Sequence, residues 1–232
     1  MNDFTDFPNR IPIFPLPMVF FPGQVRSLHI FEARYKDLLQ HCIHTGSPFG
    51  IVLEQRPSKD DPSPAPHRIG VIAHIFQVAR QPDDTFLMQV YGGERFQVAQ
   101  FYDEKPFLQA DINSLPLGQT DSDLAVRMFG TVSEMLDRYL DALTQASGYD
   151  FQLTDTPDTP EQLGYLAAVA LQINNEQKQA LLSSATLPEL FRDEIAHLHG
   201  EMDLMDWINT TIESPYNNFF DGFGSENAIS LN

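Results

Sequence analysis

The sequence predicts an α+β protein in which a β-rich first half is followed by a helical second half. Phe, Val, Ile, Pro and Gly are common in the first half, whereas Leu, Ala, Gln, Asp and Glu dominate the second. This is a shift from residues that favour strands to residues that favour helices. The length of 232 residues allows one large domain or two small ones, and either can bury a core.

Six or more short strands and one helix are predicted in the first half. Strands at spacings near ten residues favour a small mixed barrel or sandwich over a parallel α/β sheet. The helix covers 31–43, where Tyr35, Leu38 and Leu39 recur at helical spacing. The predicted strands are 11–14, 25–30, 49–53, 69–78, 86–91, 95–102 and 107–112.

Proline and glycine modify two of these strands. Prolines at 12, 15 and 17 each remove a ladder donor, so 11–14 is predicted to be an edge strand or an irregular one. Gly92 and Gly93 are predicted to separate the strand at 86–91 from the strand at 95–102.

About four helices are predicted in the second half, and their short connections favour antiparallel neighbours. Side-chain oxygens at 120–123 can cap a helix that continues to about Thr144 and ends near Gly148. The pattern of a cap followed by proline occurs at 158–161 and again at 186–189. A short helix is predicted at 174–182.

The resulting domain prediction has three parts. Residues 1–118 form the β-rich domain, 119–210 form an acidic helical bundle, and 211–232 form a flexible tail. The tail prediction rests on the lack of periodicity in a polar, Gly- and Asn-rich segment that also contains Tyr216, Phe219, Phe220 and Phe223.

Charge excludes a nucleic-acid partner. The 14 basic and 32 acidic residues give a net charge of −18. Affinity for nucleic acids depends largely on basic side chains that displace counterions from phosphates, and an anionic membrane surface is disfavoured for the same reason. Residues 1–115 contain 10 bases and 13 acids, net −3, and residues 116–232 contain 4 and 19, net −15. The acidity therefore belongs to the second half.

Cysteine usage points to a reducing compartment, and we expect a cytoplasmic protein. The single cysteine, Cys42, forms no internal disulfide and rules out CxxC metal clusters. The first ten residues contain two acids before the first base and lack the apolar run of a signal peptide. No segment approaches the roughly 18 apolar residues that cross a bilayer.

Motifs of catalysis and cofactor binding are absent from the sequence. None of the four lysines follows a glycine, so there is no P-loop. GxGxxG and Gly-x-Ser-x-Gly are also missing. Glu194 and His197 share a helix face, but His199 points elsewhere, and a solvated acidic face is the favoured interpretation over a metal site. We therefore expect no catalytic residue, cofactor or metal.

Five short motifs occur in a fixed order along the first half. They are Phe14-Pro15-Leu16-Pro17, Phe21-Pro22-Gly23, Phe31-Glu32-x-Arg34-Tyr35, Gly70-x-x-Ala73 and Gly93-x-x-Phe96. Together their order and spacing resemble the N-terminal substrate-binding domain of the Lon proteases. The segments EQKQALL and LPELFRDEIAHL of the helical half are similar to the bundle that follows in that family, so the resemblance covers about residues 10–208.

The resemblance implies a PUA-like barrel followed by a helical bundle. It also implies a protein-binding module. A complete Lon protease continues into an ATPase module and a Ser-Lys protease module, and this chain ends before either could begin. We therefore expect a stand-alone substrate-binding-domain protein, not an enzyme, whose partners are unfolded or apolar protein segments and also a protease or chaperone.

Four side chains are the candidate protein-binding residues: Phe20, Phe21, Arg34 and Arg95. Phe20 and Phe21 stand at a turn where exposed apolar surface would cover apolar segments of a partner. Glu32 and Arg34 are also predicted to form a local ion pair. The groove between barrel and bundle is a further candidate.

Two alternative functions remain open at this point. The chain could be an adaptor that docks on an ATP-dependent protease or another partner through its acidic bundle and Phe-bearing tail. A small hydrolase is the third hypothesis, but no pair of nucleophile and base can be named for it.

Overall fold

The structure is a computed structural model that describes residues 10–55, 57, 59, 61, 64–153, 157–211 and 228–229. The chain divides into two compact units, residues 1–116 and residues 117–231, here named the sheet unit and the helical unit. The boundary lies two residues before the predicted one. In the described part of the chain, no helix is both long enough and apolar enough to cross a membrane.

The part of the sheet unit that the structure describes contains six strands and one helix. The helix α1 covers Ala33–Thr45, two residues later than predicted at each end, and Gly46 ends it with a φ of 67°. A positive φ of this size favours glycine, because it has no Cβ. The strands are β1 Arg10–Leu16, β2 Val25–Ile30, β3 Phe49–Leu53, β4 Ile69–Arg80, β5 Phe86–Tyr102 and β6 Gln109–Ser114.

The six strands form one mixed sheet in the order β2-β5-β4-β3-β1-β6. An additional pairing of β5 with β6 closes five of the strands into a ring and leaves β2 outside it. β1 runs parallel to β3, and the other pairs are antiparallel. The α+β class predicted from the sequence is confirmed.

The edge position predicted for the proline-containing strand is wrong, because β1 lies between β3 and β6. Its two neighbours pair with different parts of it: β6 with residues 10–12, and β3 with residues 13–16. Pro12 therefore pairs only with β6, where it lies opposite Gln109. Pro15 pairs only with β3, where it lies opposite Val52. This change of partner lets an internal strand contain prolines, so the alternative of an irregular strand fits better.

The strand break predicted at Gly92 and Gly93 is also wrong, since β5 is continuous over 17 residues. Gly92 allows a close approach of two backbones: its N–H donates to the Gln24 carbonyl, and its own carbonyl accepts from Gly23 N, both at 2.8 Å. A Cβ here would overlap the backbone oxygen of Phe21. Because Gly92 has no side chain, the turn before β2 can pack directly against β5.

Phe96 lies at the centre of the sheet-unit core and is fully buried. Gly50 and Gly70 flank its ring, and Cβ atoms added to them would lie 2.6 Å and 2.9 Å from Phe96 Cζ. The bare backbones of β3 and β4 thus make room for the ring. The buried cluster consists of Ile11, Ile13, Val52, Ile72, Phe96, Val98 and Ala110.

Four helices occur in the described residues of the helical unit, as predicted. Their N-terminal caps are local: Ser122 accepts from Ala125 N, and Thr159 and Asn174 form capping boxes with Gln162 and Gln177. The helices are α2 Asp123–Ser147, α3 Pro160–Ala170, α4 Asn175–Leu182 and α5 Leu187–Thr211.

A short strand pair completes the helical unit. β7 Gln152–Leu153 runs parallel to β8 Ala228–Ile229. The flexible tail predicted for 211–232 stays a prediction; within it, the structure describes Thr211 at the end of α5 and β8 at 228–229. The prediction for 212–227 and 230–232, including the aromatic residues there, lies outside the described residues.

Candidate functional site

Phe20 and Phe21 lie in the core of the sheet unit, with exposed fractions of 2% and 1%. The Phe21 N–H donates to Gln24 Oε1 at 3.2 Å, and the Phe21 carbonyl faces Gly92. Their apolar side chains fix the turn before β2. Phe20 and Phe21 therefore present no exposed apolar surface at this turn. The prediction that they contact a partner there is corrected.

Arg95 is also buried, with an exposed fraction of 2%. Its carbonyl accepts a hydrogen bond from Leu115 N at 3.0 Å, which ties β5 to the chain beyond β6. A charged side chain so deeply buried serves the packing of the unit and presents nothing to a partner. The expectation that Arg95 offers a surface contact is corrected in the same way.

Arg34 is exposed, and it forms the predicted local ion pair: its NH2 lies 2.8 Å from Glu32 Oε2. The guanidinium carbon also lies 4.5 Å from the centre of the Tyr35 ring. The prediction of the Glu32–Arg34 pair is confirmed. Of the four candidate residues, Arg34 alone has an exposed side chain.

Arg34 and Tyr35 line a cavity of about 530 Å³ at the start of α1. Tyr35 packs on Phe14 with ring centroids 4.1 Å apart, and burial raises the pKa of its hydroxyl. The lining contains no Ser, Cys or His among the described residues, so it offers no nucleophile paired with a base. The other lining residues are Pro15, Glu54, Gln55, Pro57, Pro64, Pro66, Pro106 and Leu108.

A second surface of the sheet unit is apolar and exposed. It lies where β2, β5 and β4 extend beside one another, and we call it the aromatic face: Phe31, Phe76, Leu87 and Tyr91. Strand alternation explains it, because Leu87 and Tyr91 are four residues apart on β5 and so share one side of the sheet. Phe31 follows β2, and Phe76 stands at a register shift of β4.

Two histidines lie beside the aromatic face. His74 stacks on Tyr91 with ring centroids 4.7 Å apart and an interplanar angle of 14°. Burial lowers the pKa of His74, so its ring is neutral at physiological pH. His29 lies beside Phe31 and hydrogen-bonds Thr85 Oγ1 at 2.8 Å. An apolar surface of this kind suits contact with apolar side chains.

The aromatic face was not among the surfaces predicted from the sequence. Phe76, Leu87 and Tyr91 were each placed in predicted strands, and an apolar strand residue is normally assigned to a core. The available signal was apolar residues at both odd and even positions of 86–91, which indicates a strand with apolar side chains on both sides.

In the helical unit, the histidines considered as metal ligands are not part of a ligand cluster. In the described ranges, no group of three His, Cys, Asp or Glu side chains is placed to hold a metal ion. The solvated face expected for Glu194 is wrong, because Glu194 is fully buried in α5. Neither of its carboxylate oxygens has a hydrogen-bond partner among the described residues. Burial raises the pKa of this carboxyl well above its ordinary value.

The fold and these surfaces define a class of protein: an α+β chain in which a six-stranded mixed sheet precedes four helices. Residues 10–200 match the family model of the ATP-dependent protease La (LON) substrate-binding domain. The chain belongs to this family, which confirms the resemblance found in the motif order.

Relatives and solved structures agree with the assignment. Lon protease 2 of Myxococcus xanthus is 26% identical over 207 residues, covering 88% of this chain and 25% of that protein. The chain thus spans about a quarter of the length of the curated relatives that it matches. The N-terminal domain of a Mycobacterium avium complex Lon protease is 19% identical with a TM-score of 0.61, covering 82% of this chain and 98% of that one. A Lon N-terminal domain protein from Xanthomonas campestris is 23% identical with a TM-score of 0.54, covering 81% and 96%.

Proposed function

We propose that this chain is a Lon-like substrate-recognition module that binds apolar segments of unfolded proteins and does no chemistry of its own. The aromatic face is the observation that carries the proposal. The family match supports it, because the matched region is the substrate-binding part of Lon and neither its ATPase nor its protease part.

The chemistry of the aromatic face fits such a ligand. Phe76 is 53% exposed and Phe31 is 62% exposed, so large apolar areas meet solvent. Unfolded proteins differ from folded ones chiefly in the apolar side chains that they expose, and covering those side chains releases free energy in proportion to the area buried. A surface that recognises such side chains needs a large apolar area and few charged groups.

The test is binding of reduced and carboxymethylated α-lactalbumin, which is permanently unfolded, with native α-lactalbumin as the matched ligand control. We expect saturable binding of the unfolded form alone. The double variant Phe76→Ser and Tyr91→Ser should weaken that binding about tenfold or more, since each truncation removes a contact worth roughly 1 kcal/mol. Calorimetry or fluorescence anisotropy measures both affinities.

Trp207→Ser is the control variant. Trp207 is a large aromatic residue of the helical unit with a similar exposed fraction, 56%. Its loss should leave the affinity within about twofold of the unchanged protein, an effect below roughly 0.5 kcal/mol. Equal losses in both variants, or equal binding of native and unfolded α-lactalbumin, would contradict the proposal.

A further inference from the structure

The strand β2 has one open edge. It stands first in the sheet order and pairs along its whole length with β5, from Val25 opposite Tyr91 to Ile30 opposite Phe86. Among the described residues, no strand pairs with its other side. A free edge presents a row of backbone donors and acceptors that another extended chain can satisfy.

The hydrogen-bond pattern shows which groups point outward. Gly92 N donates to the Gln24 carbonyl and the Gly92 carbonyl accepts from Gly23 N, so the chain at 23–24 occupies a hydrogen-bonded position opposite Gly92. Opposed residues of antiparallel strands alternate between hydrogen-bonded and non-hydrogen-bonded pairs. Val25, Ser27 and His29 are therefore in non-hydrogen-bonded positions toward β5. Their N–H and C=O groups face the open edge.

The side chains at this edge leave it accessible. Ser27 and His29 are exposed, and Val25 is partly exposed. Folded proteins commonly protect open edges with proline, lysine or a β-bulge. The β2 sequence VRSLHI contains no proline and no lysine, its one charged side chain is the exposed Arg26, and its pairing with β5 has no register shift. The edge is thus regular over six residues, and Arg26 is its only charged residue.

We propose that β2 binds an extended segment of an unfolded protein as an additional strand of the sheet. This rests on the proposed function and adds the mode of recognition. The ligand forms main-chain hydrogen bonds to Val25, Ser27 and His29, and its alternate apolar side chains lie on the same side of the sheet as the aromatic face.

The aromatic face is within reach of such a strand. Phe31 directly follows β2, and Leu87 and Tyr91 belong to the next strand. Neighbouring strands lie about 4.8 Å apart, and diagonal neighbours remain within reach of long side chains. Ser27 lies at the centre of β2 and is small, so it leaves room for a large ligand side chain beside the aromatic face. Main-chain pairing accepts any residue except proline, so the ligand class is defined by extension and apolar alternation rather than by sequence.

Charge favours an unfolded segment over a second copy of this chain. Pairing of two copies through β2 would bring together two molecules that each have a formal charge of −18. Mutual repulsion at that net charge opposes self-association. A short segment of an unfolded protein carries no such charge.

The first test uses peptides of about ten residues that alternate Leu and Ser, with one Lys at each end. In one version the amides of the Leu residues are N-methylated, and in the other those of the Ser residues. Only one alternate set of amides of an added strand faces β2. We expect one methylated version to lose binding about tenfold or more and the other to retain it. Equal binding by both versions, or equal loss, overturns strand addition.

The second test uses the variant Ser27→Pro, with Ser27→Ala as its matched control. Proline removes the outward donor of Ser27 at a position where that N–H pairs with no strand among the described residues, so we expect the fold to be retained. We expect Ser27→Pro to weaken binding of the unmethylated peptide and of unfolded α-lactalbumin about tenfold, and Ser27→Ala to change it less than twofold. Equal binding by both variants overturns strand addition.

Amide hydrogen exchange of the full chain locates the contact. Without peptide, we expect the amides of Val25, Ser27 and His29 to exchange quickly, and saturating peptide to slow them about tenfold or more. Slow exchange without peptide that depends on protein concentration identifies a second copy at the edge. Slow exchange at every dilution identifies another segment of the same chain. Either result overturns the proposal.

The two proposals fail in different ways. If the unchanged protein binds neither unfolded α-lactalbumin nor the peptide, the proposed function itself is wrong. If it binds both but the Ser27 variants and the methylated peptides show no discrimination, recognition of unfolded segments stands and strand addition is wrong.

Discussion

The sheet unit and the helical unit are stabilised by contacts of very different range along the chain. In the sheet unit, Arg10 hydrogen-bonds Asp111, 101 residues away, and β1 pairs with β6 across the same separation. In the helical unit, the caps join residues three apart, such as Asn174 and Gln177. The sheet unit therefore depends on close approach of distant backbones, and the helical unit depends more on local signals.

Both units bury a charged residue, Arg95 in the sheet unit and Glu194 in the helical unit. In the helical unit, Gln172 N donates to the hydroxyl of the buried Tyr139 at 3.0 Å, but Glu194 is buried without a partner among the described residues. An unpaired buried carboxyl costs free energy that a satisfied one does not. Backbone geometry is thus the vulnerable property of the sheet unit, and a buried acid is the vulnerable property of the helical unit.

Gly70→Ala should have the largest effect, because it tests backbone approach in the sheet unit. A Cβ at Gly70 would overlap the backbone oxygen of Ile51 and lie 2.9 Å from Phe96 Cζ. Backbone cannot move aside as a side-chain end can, so we expect a loss of about 3 kcal/mol or more of unfolding free energy. Urea unfolding followed by circular dichroism measures it.

Gly130→Ala is the matched control in the helical unit. A Cβ at Gly130 in α2 meets nothing within 4 Å. The same substitution should therefore stabilise the protein by roughly 0.5–1 kcal/mol through helix propensity. If both variants changed stability in the same direction, the contrast between the units would be wrong.

Glu194→Gln should have the next largest effect, and it acts through pH. Since burial raises the folded-state pKa of Glu194, the folded protein retains a proton that the unfolded chain releases above the ordinary carboxyl range. Stability falls as pH rises between those two pKa values, by up to about 1.4 kcal/mol per pH unit. Glutamine should remove this decline and raise stability at neutral pH by about 1 kcal/mol or more. Thermal unfolding over a pH series measures the slope.

Asp193→Asn is the control for Glu194. Asp193 is the next carboxyl of α5, is exposed, and raises the pKa of Glu194 as a secondary cause. Its neutralisation should leave most of the pH dependence in place. An unchanged pH slope in Glu194→Gln would show that Glu194 is not the group responsible.

Tyr139→Phe should cost about 1–2 kcal/mol. The substitution keeps the buried ring and removes the acceptor for Gln172 N, which leaves a backbone donor without its partner. Tyr149→Phe is the control, since Tyr149 is exposed. Chemical denaturation measures both variants, and equal stabilities would mean that the hydroxyl contributes nothing.

Thr159→Ala should have the smallest destabilising effect, about 1 kcal/mol. Thr159 accepts from Gln162 N at 3.2 Å and forms the capping box of α3. Amide exchange should accelerate in the first turn of α3 and remain unchanged in β4 and β5. Faster exchange throughout the sheet unit would contradict the local character of the cap.

Sequence reasoning succeeded where the determining contacts are local. The N-termini of α2, α3 and α4 follow from side chains within four residues, and the Glu32–Arg34 pair follows from a two-residue spacing. The position of β1 and the continuity of β5 depend on which distant strands pair with them, and no local pattern specifies that.

The candidate site shows the same limit. Phe20 and Phe21 resemble exposed turn residues, yet the approach of Gly92 places them in a core. Phe76 and Tyr91 resemble core residues, yet the strands that hold them extend beyond the closed ring of the sheet. Exposure is a property of the assembled sheet, so the sequence alone did not predict it.

The pairing of β1 with β6 has a consequence for synthesis on the ribosome. Arg10 of β1 is synthesised before β6, because its partner Asp111 is added about a hundred residues later. At about 5–20 residues per second, the apolar β1 waits several seconds or longer without one of its two neighbours. During that interval the nascent sheet unit is itself an unfolded apolar segment, of the same kind as the ligands proposed for the finished protein.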